Sequence, residues 1–397
     1  MTPLLAEARR VRPGDAAELA RALREADEAS LAVVPTGAGT QQYVGNRPRR
    51  VDLVLETTSL SGIVEHTPAD LTITVRAGTP FADLEAHLHA SGQRLPLDPP
   101  HRERATVGGL MATNASGPRR AKYGTLRDLV IGTRVALVDG SITRAGGKVV
   151  KNVAGYDLNK LYLGSLGTLG VIVEATFKVL PLPAREAAIV ATFRSLRAAT
   201  ETGVALARTS LRPAAVEAHD LDGTARLVVA ADGEAVAVQR VLSDAARIAS
   251  EHGATSVEPA SDLESALSSS RRLVESADGV VLRASLPLAA QAAFVDEVRR
   301  IAGDRAMATI AVHAASGIVR TRLTGDSDAL RQASLDVFAM AKTLEGDAWL
   351  EHVAEALREA IGDVWFGEPP GFFLMHRIKQ EFDPRGTLNP GRFVGGI

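Results

Sequence analysis

The segment Pro35-Thr36-Gly37-Ala38-Gly39-Thr40 sets two glycines one residue apart between two threonines, directly after the apolar run Leu31 to Val34. Glycine lets successive backbone N–H groups turn toward one concavity with no side chain in the way, which makes an anion nest, and the hydroxyls of Thr36 and Thr40 add donors. A pyrophosphate suits such a nest; taken alone, a plain strand-to-loop turn accounts for the segment as well. A second surface of this kind begins at Thr106, which can cap a short helix starting Val107-Gly108-Gly109. The paired glycines expose bare backbone in the first turn, where the helix dipole is positive. Asn114, Ser116 and Gly117 then offer amide, hydroxyl and backbone donors as that helix ends. The common nucleotide motifs do not fit. Gly37-Ala38-Gly39-Thr40-Gln41-Gln42 lacks the third glycine of the Rossmann fingerprint, and no Gly-Lys-Ser or Gly-Lys-Thr closes a P-loop. Gly164-Ser165-Leu166-Gly167-Thr168-Leu169-Gly170 is glycine-rich but leads into a strand rather than a helix.

These groups need elements to hold them. Asp15 can cap a helix with Leu19, Ala22, Leu23 and Ala26 at helical spacing, and Glu18 is placed for a capping box. Leu31 to Val34 and Val51 to Leu55 read as buried strands, and the alternating Leu71 to Arg76 as a half-buried one. Thr79-Pro80 opens a helix with Phe81, Leu84 and Leu88 inward and Gly92 as its stop. Val135 to Val138 and Ser141 to Thr143 flank Asp139-Gly140, a type I′ hairpin signal. Gly170 to Leu180 alternates as a long strand, and Pro181-Leu182-Pro183 marks a domain boundary. Beyond it, strands at Ala188–Phe193, Arg226–Ala230, Gly279–Ser285, Ala308–Val312 and Ile318–Leu323 alternate with amphipathic helices. This pattern predicts an antiparallel, ferredoxin-like sheet, with no evident internal repeat. A helix over Phe372–Phe382 precedes a tail that cannot be regular structure.

Composition narrows the class. The 397 residues are 46% hydrophobic, enough for two or three domains with real cores. With 45 basic against 47 acidic residues, nothing favours a nucleic acid or an anionic lipid surface. The absence of cysteine excludes disulfides, thiol nucleophiles and iron-sulfur ligation by this chain, so redox chemistry would need a borrowed cofactor. No run approaches the ~20 apolar residues of a membrane span. The sequence points to a cytoplasmic protein, with any membrane association peripheral and through partners.

In this order, the segments resemble the vanillyl-alcohol-oxidase flavoproteins, whose FAD domain is also called the PCMH type. The residues that carry the resemblance are Pro35 to Thr40, Thr106 to Gly109 with Ala112 to Gly117, Tyr123-Gly124, and Gly164 to Ile172. The likeness covers roughly the first half of the chain, and Leu388-Asn389-Pro390-Gly391-Arg392 is similar to the family's last flavin-proximal segment. It implies an α+β protein with a PCMH-type FAD-binding domain over 1–184, a ferredoxin-like cap over 185–370 and a C-terminal strap over 371–397. It implies pyrophosphate on Thr36, Gly37, Ala38, Gly39, Thr40 and Gln41, and flavin and ribityl contacts from Pro99, Thr106, Val107, Gly108 and Gly109. Further contacts fall to Ala112, Thr113, Asn114, Ser116, Gly117 and Asn389, with adenine against Gly170, Val171 and Ile172. Gly39 stands where members that attach FAD through histidine carry that residue, so noncovalent FAD is expected.

Lys148-Val149-Val150-Lys151-Asn152-Val153-Ala154-Gly155-Tyr156-Asp157 resembles the E subunit of glycolate oxidase. The resemblance implies assembly with a second flavoprotein subunit and an iron-sulfur subunit, oxidising glycolate to glyoxylate. The alternatives are a self-sufficient flavin dehydrogenase of a 2-hydroxy acid such as D-lactate, and a scaffold subunit with little turnover. Related dehydrogenases carry a His-x-x-Asp-Gly-Asn-x-His type segment in the cap; here the stretch reads His313-Ala314-Ala315-Ser316-Gly317-Ile318-Val319-Arg320. Too few ligands remain for a divalent metal, so none is expected. His313 and Arg320 are the candidate catalytic residues, Arg320 as a fork for a substrate carboxylate. The bland readings are a half-buried histidine with a backbone partner and an exposed strand arginine, with Arg322 on the same face. Lys148 and Lys151 could face an anionic ligand or a partner but also suit a solvated loop, and His376 and Lys379 suit a solvent face.

Overall fold

A computed structural model describes residues 6–148, 156–275 and 278–397. Its contacts divide the chain into unit 1, Met1–Ala115 with Thr125–Leu182 and Gly367–Ile397, and unit 2, Ser116–Gly124 with Pro183–Phe366. Residues 149–155, which include Lys151 and most of the segment running to Asp157, lie outside the described residues.

Unit 1 begins with β1 (Arg9–Val11), α1 (Ala16–Glu28), β2 (Val33–Thr36) and β3 (Leu53–Glu56), whose strands pair in parallel in the order β1-β3-β2. The Asp15 side chain accepts from the Glu18 N–H at 2.8 Å, while the Glu18 carboxylate accepts from the Gly14 N–H at 2.7 Å, one residue earlier than a capping box requires. Leu19 and Leu23 are fully buried against Val33, Leu53 and Leu55, each burial contributing ~1.5–3 kcal/mol.

The chain continues through β4 (Ile63–Thr67), β5 (Thr72–Arg76), α2 (Phe81–Ala90), β6 (Gln93–Arg94), α3 (Val107–Thr113), β7 (Val130–Ala136), β8 (Ile142–Gly146), β9 (Val171–Lys178) and β10 (Leu180–Pro181). An antiparallel sheet runs β4-β5-β9-β7-β8, and β6 pairs with β10. Phe81, Leu84 and Leu88 of α2 and Leu110 and Met111 of α3 pack on Ile73, Val75, Ala175 and Phe177 of that sheet. The β7–β8 turn is not type I′, which needs positive φ at both central residues. Only Gly140 has it (83°), and its N–H closes on the Leu137 carbonyl at 3.1 Å, so the connection is a three-residue loop with a glycine bulge. The Asp139 carboxylate accepts from the Ser141 N–H at 2.8 Å, which secures that form.

Unit 2 holds β11 (Arg185–Phe193), α4 (Leu196–Ala207), β12 (Ala215–His219), β13 (Ala225–Gly233), α5 (Ala235–Glu251) and β14 (Ser256–Pro259). The same βαββαβ series recurs as β15 (Val280–Ser285), α6 (Gln291–Ala302), β16 (Ala306–His313), β17 (Ile318–Gly325), α7 (Ser327–Thr343) and β18 (Asp347–Val353). The single antiparallel sheet runs β14-β11-β13-β12-β16-β17-β15-β18. The unit is therefore two ferredoxin-like halves joined where β12 meets β16, an internal repeat of topology that the sequence does not display. Alternation sends Val216, Ala218, Leu282, Ile310, Val312, Val319 and Leu350 into one core with Phe294, Val298, Leu330 and Val337 of the helices. The intervening residues Glu217, Arg283, His313, Arg320 and Glu351 therefore face the other side of the sheet. Among the described residues no helix is long and apolar enough to cross a membrane.

Candidate functional site

In unit 1 the end of β2 turns into Gly37–Thr40 and meets the start of α3. A Cβ at Gly37 would stand 2.1 Å from Thr106 Oγ1, and one at Gly108 would stand 2.8 Å from the Ala77 Cβ. Neither position admits a side chain, so the loop and the helix start close on one another. Two adjoining clefts share Pro35, Gly37, Gly109, Ala112 and Leu166 in their walls. One is completed by Ala38, Gly39, Thr40, Gln41, Thr106 and Thr113, the other by Thr36, Gly108, Gly170, Val171 and Ile172. The three sequence-separated segments thus come together. Among the described residues, the N–H groups of Gly37, Ala38, Gly39 and Thr40 meet no protein acceptor. The buried Gln41 Nε2 and Asn114 Oδ1 are also without a partner, although Gln41 Oε1 accepts from the Thr113 hydroxyl. A row of open donors beside a glycine floor suits a phosphate-bearing ligand.

Pro99, Val107, Ser116, Gly117 and Asn389 are buried outside these two linings. Ser116 and Gly117 fall in unit 2, where the Ser116 hydroxyl accepts from Arg120 Nη1 at 3.1 Å. Asn389 stands behind the cleft and donates to the Leu166 carbonyl at 2.7 Å. Sequence reading passed over Gln42 and Arg392, which also line the cleft. Arg392 ends the Leu388–Arg392 segment, the same one that holds Asn389.

Lys379 departs from the expected solvent face. It is 7% exposed, and its ammonium donates to the carbonyls of Thr168 at 2.8 Å and Leu388 at 2.9 Å and to Asp383 at 2.5 Å. Burial lowers its pKa, opposed by Asp383. His376, one turn earlier, is exposed. Lys148 is described and pairs with Glu65.

On the face of the unit 2 sheet opposite its large core, His313 Nδ1 is 2.6 Å from Glu217 Oε1, and Arg320 Nη1 donates to His313 Nε2 at 2.5 Å. Arg320 also forks onto Glu351, at 2.6 and 3.1 Å, and Arg283 stands 3.6 Å from the same carboxylate. Arg320 is therefore not an exposed strand residue: it is 3% exposed, with an imidazole partner from the adjacent β16 and a carboxylate partner from β18, one strand beyond β15. Burial holds His313 well below the ordinary imidazole pKa, with Arg320, Arg120 and Arg283 adding to the effect. It is neutral, with Nδ1 protonated toward Glu217. Burial works to raise the Glu351 pKa, but Arg320 and Arg283 overcome it and the carboxyl stays low. Arg283 is drawn down to about 10, chiefly by burial.

The glycine floor and the open N–H row, set in this α+β frame, suit the pyrophosphate of a dinucleotide. Residues 8–146 match the family of FAD binding domains, and residues 182–393 match the C-terminal domain of FAD linked oxidases. The chain belongs to the FAD-linked oxidase family and is an FAD-dependent oxidoreductase. It is 30% identical to glycolate oxidase subunit GlcD of Bacillus subtilis, over 96% of this chain and 88% of that one. It is 31% identical to the D-lactate dehydrogenase of Archaeoglobus fulgidus, over 97% and 90%. With glycolate oxidase subunit GlcE of Escherichia coli it shares 52% identity over a shorter stretch, 31% of this chain and 35% of that subunit. In fold it is similar to the 4-ethylphenol oxidase from Gulosibacter chungangensis, with a TM-score of 0.75 at 16% identity over 96% of this chain and 88% of that one. A p-cresol methylhydroxylase gives 0.74 at 15% identity, over the same 96% and 88%.

Proposed function

We propose that the chain binds FAD noncovalently and serves as a flavin subunit of a 2-hydroxyacid oxidase of the glycolate oxidase kind, working with a second flavoprotein subunit and an iron-sulfur subunit. The observation that carries the cofactor is the row of open N–H groups over Gly37–Thr40, which fits the pyrophosphate of FAD. Two features of the sequence support noncovalent attachment: Gly39 in this loop cannot be alkylated, and the chain has no cysteine.

Oxidation of a 2-hydroxy acid to the 2-oxo acid removes two electrons and two protons, and FAD when bound supplies the two-electron acceptor. The chain's own residues would hold the substrate carboxylate and receive the hydroxyl proton. His313 and Arg320 are the candidates. Both are already committed, His313 between Glu217 and Arg320, and Arg320 to Glu351. That commitment supports a chain whose turnover depends on a partner. A second reading, a self-sufficient dehydrogenase, is favoured by the near full-length similarity to a D-lactate dehydrogenase.

One experiment separates the two. The chain is expressed alone and together with its candidate partners, reconstituted with FAD, and assayed with glycolate and D-lactate against an artificial electron acceptor. Partner dependence requires turnover only in the complex; robust turnover by the isolated chain establishes the second reading. Acid precipitation of the loaded protein should leave the flavin in the supernatant, and a yellow pellet would disprove noncovalent attachment.

A further inference from the structure

The segment Thr387–Arg392 holds both ends of the phosphate loop. Before the loop, the Val33 N–H donates to the Thr387 carbonyl at 2.7 Å and the Asn389 N–H to the Val33 carbonyl at 2.9 Å, so Leu388 forms a parallel bridge to Val33 at the start of β2. After the loop, the N–H of Asn46 donates to the Arg392 carbonyl at 2.9 Å and that of Arg49 to the Pro390 carbonyl at 2.7 Å. A Cβ on Gly45 would stand 2.7 Å from the Arg392 carbonyl oxygen, so the two segments touch backbone to backbone. The Arg392 side chain then closes the bracket. Its Nε donates to the Val44 carbonyl at 3.2 Å, and its two Nη atoms donate to Gln42 Oε1 at 2.5 Å and to the Gln42 carbonyl at 3.2 Å. Gln42 in turn donates to the Thr36 hydroxyl at 3.0 Å, at the opposite end of the loop.

Arg392 is 4% exposed and, among the described residues, is the only charged side chain in the walls of the two clefts. Burying a guanidinium is costly, and neutral carbonyl and amide oxygens offset that cost only in part. A doubly charged pyrophosphate in the same cleft would offset it far better, and a planar cationic fork suits phosphate oxygens. We infer that Arg392 is the cationic partner of the FAD pyrophosphate and that Thr387–Arg392 sets the shape of the loop that binds it. The inference rests on FAD being the ligand of these clefts. It adds a charge from the tail to clefts whose other walls come from the first half of the chain.

The test is a titration of the full-length apoprotein with FAD, followed by flavin fluorescence, with inorganic pyrophosphate as competitor. Arg392→Gln should weaken FAD binding on the order of ten- to a hundredfold and abolish competition by pyrophosphate. Arg392→Lys should recover much of both. Arg385→Gln is the control: Arg385 lies on the same tail but bonds Asp27 at 2.9 Å, away from the clefts, and should bind FAD as the wild type does. FAD affinity within twofold of wild type in Arg392→Gln would overturn the inference. So would equal losses in the glutamine and lysine variants matched by equal falls in the unfolding midpoint, which would reduce Arg392 to a structural clamp. A wild-type protein that takes up no FAD would instead sink the flavin reading. Calorimetric titration of wild type and Arg392→Gln with pyrophosphate would then still decide whether Arg392 serves an anion.

Discussion

A buried imidazole costs the fold little while neutral and a good deal once protonated. His219, at the end of β12, is 5% exposed and its Nδ1 has no partner. Its pKa is held down to about 4, first by burial and then by Arg226 and Arg272, with Asp222 opposing. The unfolded chain takes up that proton near the ordinary value of 6.5. Between 6.5 and about 4 the unfolded state therefore binds more protons, and stability falls as the pH falls. The loss from this residue alone is roughly 3 kcal/mol by the lower end of the window, at ~1.36 kcal/mol per pH unit. His313 acts in the same direction from within its network. Replacing His219→Leu should flatten the dependence without changing its sign. Urea midpoints measured across that window for both proteins decide it, and parallel curves would reject the assignment.

At the scale of elements, the helix Phe372–Phe382 shows how one side chain can dock a whole segment. Lys379 bonds the glycine-rich turn through Thr168 and the tail through Leu388, and pairs with Asp383, whose side chain is fully buried. Asp383 also accepts from the N–H groups of Thr387 and Leu388, both at 2.8 Å. Lys379→Met would leave a buried carboxylate without its cation, a change that costs about 3–5 kcal/mol. The two remaining backbone donors place the expected loss at the lower end. Urea denaturation should report it, and protease should cut the tail sooner, while His376→Ala, on the exposed face, should stay within about 0.5 kcal/mol. A tail equally resistant in both variants would refute the docking role. The same helix marks the limit of what local pattern reveals. Asp15, the inward row Phe81, Leu84 and Leu88, and the glycine segments of the clefts were legible because their signals lie within a few residues. Lys379 was not, since its partner Thr168 is 211 positions away and a lysine beside exposed residues reads as solvated. Arg320 escaped a local reading for a similar reason: its partners His313 and Glu351 come from β16 and β18, and only the assembled sheet buries it. The turn at Gly140 followed the Asp139 side chain rather than the dipeptide rule.

At the scale of the whole molecule, the chain passes between its two units more than once. It leaves unit 1 after Ala115, at the end of the α3 region, spends Ser116–Gly124 in unit 2 and returns at Thr125. Unit 2 is thus a doubled ferredoxin-like sheet plus a short excursion borrowed from the flavin-binding half of the sequence. A repeat of topology without repeat of sequence leaves no periodic signal to read, because each half needs only alternation and two amphipathic helices. The excursion is fastened at one carboxylate. Asp232, on β13, receives Lys122 Nζ at 2.5 Å and the Tyr123 hydroxyl at 2.7 Å, and its side chain is 2% exposed. Arg119 adds a weaker pair with Glu186 at 3.3 Å. Lys122 is 26% exposed, so solvent screens part of the attraction. Asp232→Ala should therefore cost roughly 1–3 kcal/mol, less than a fully buried pair. The loss should be local as well as global: hydrogen exchange at the amides of 116–124 should quicken more than exchange in β16 or β17. If those amides keep wild-type protection while the urea midpoint falls, Asp232 supports the sheet alone, and the excursion is held by its arginines and backbone instead.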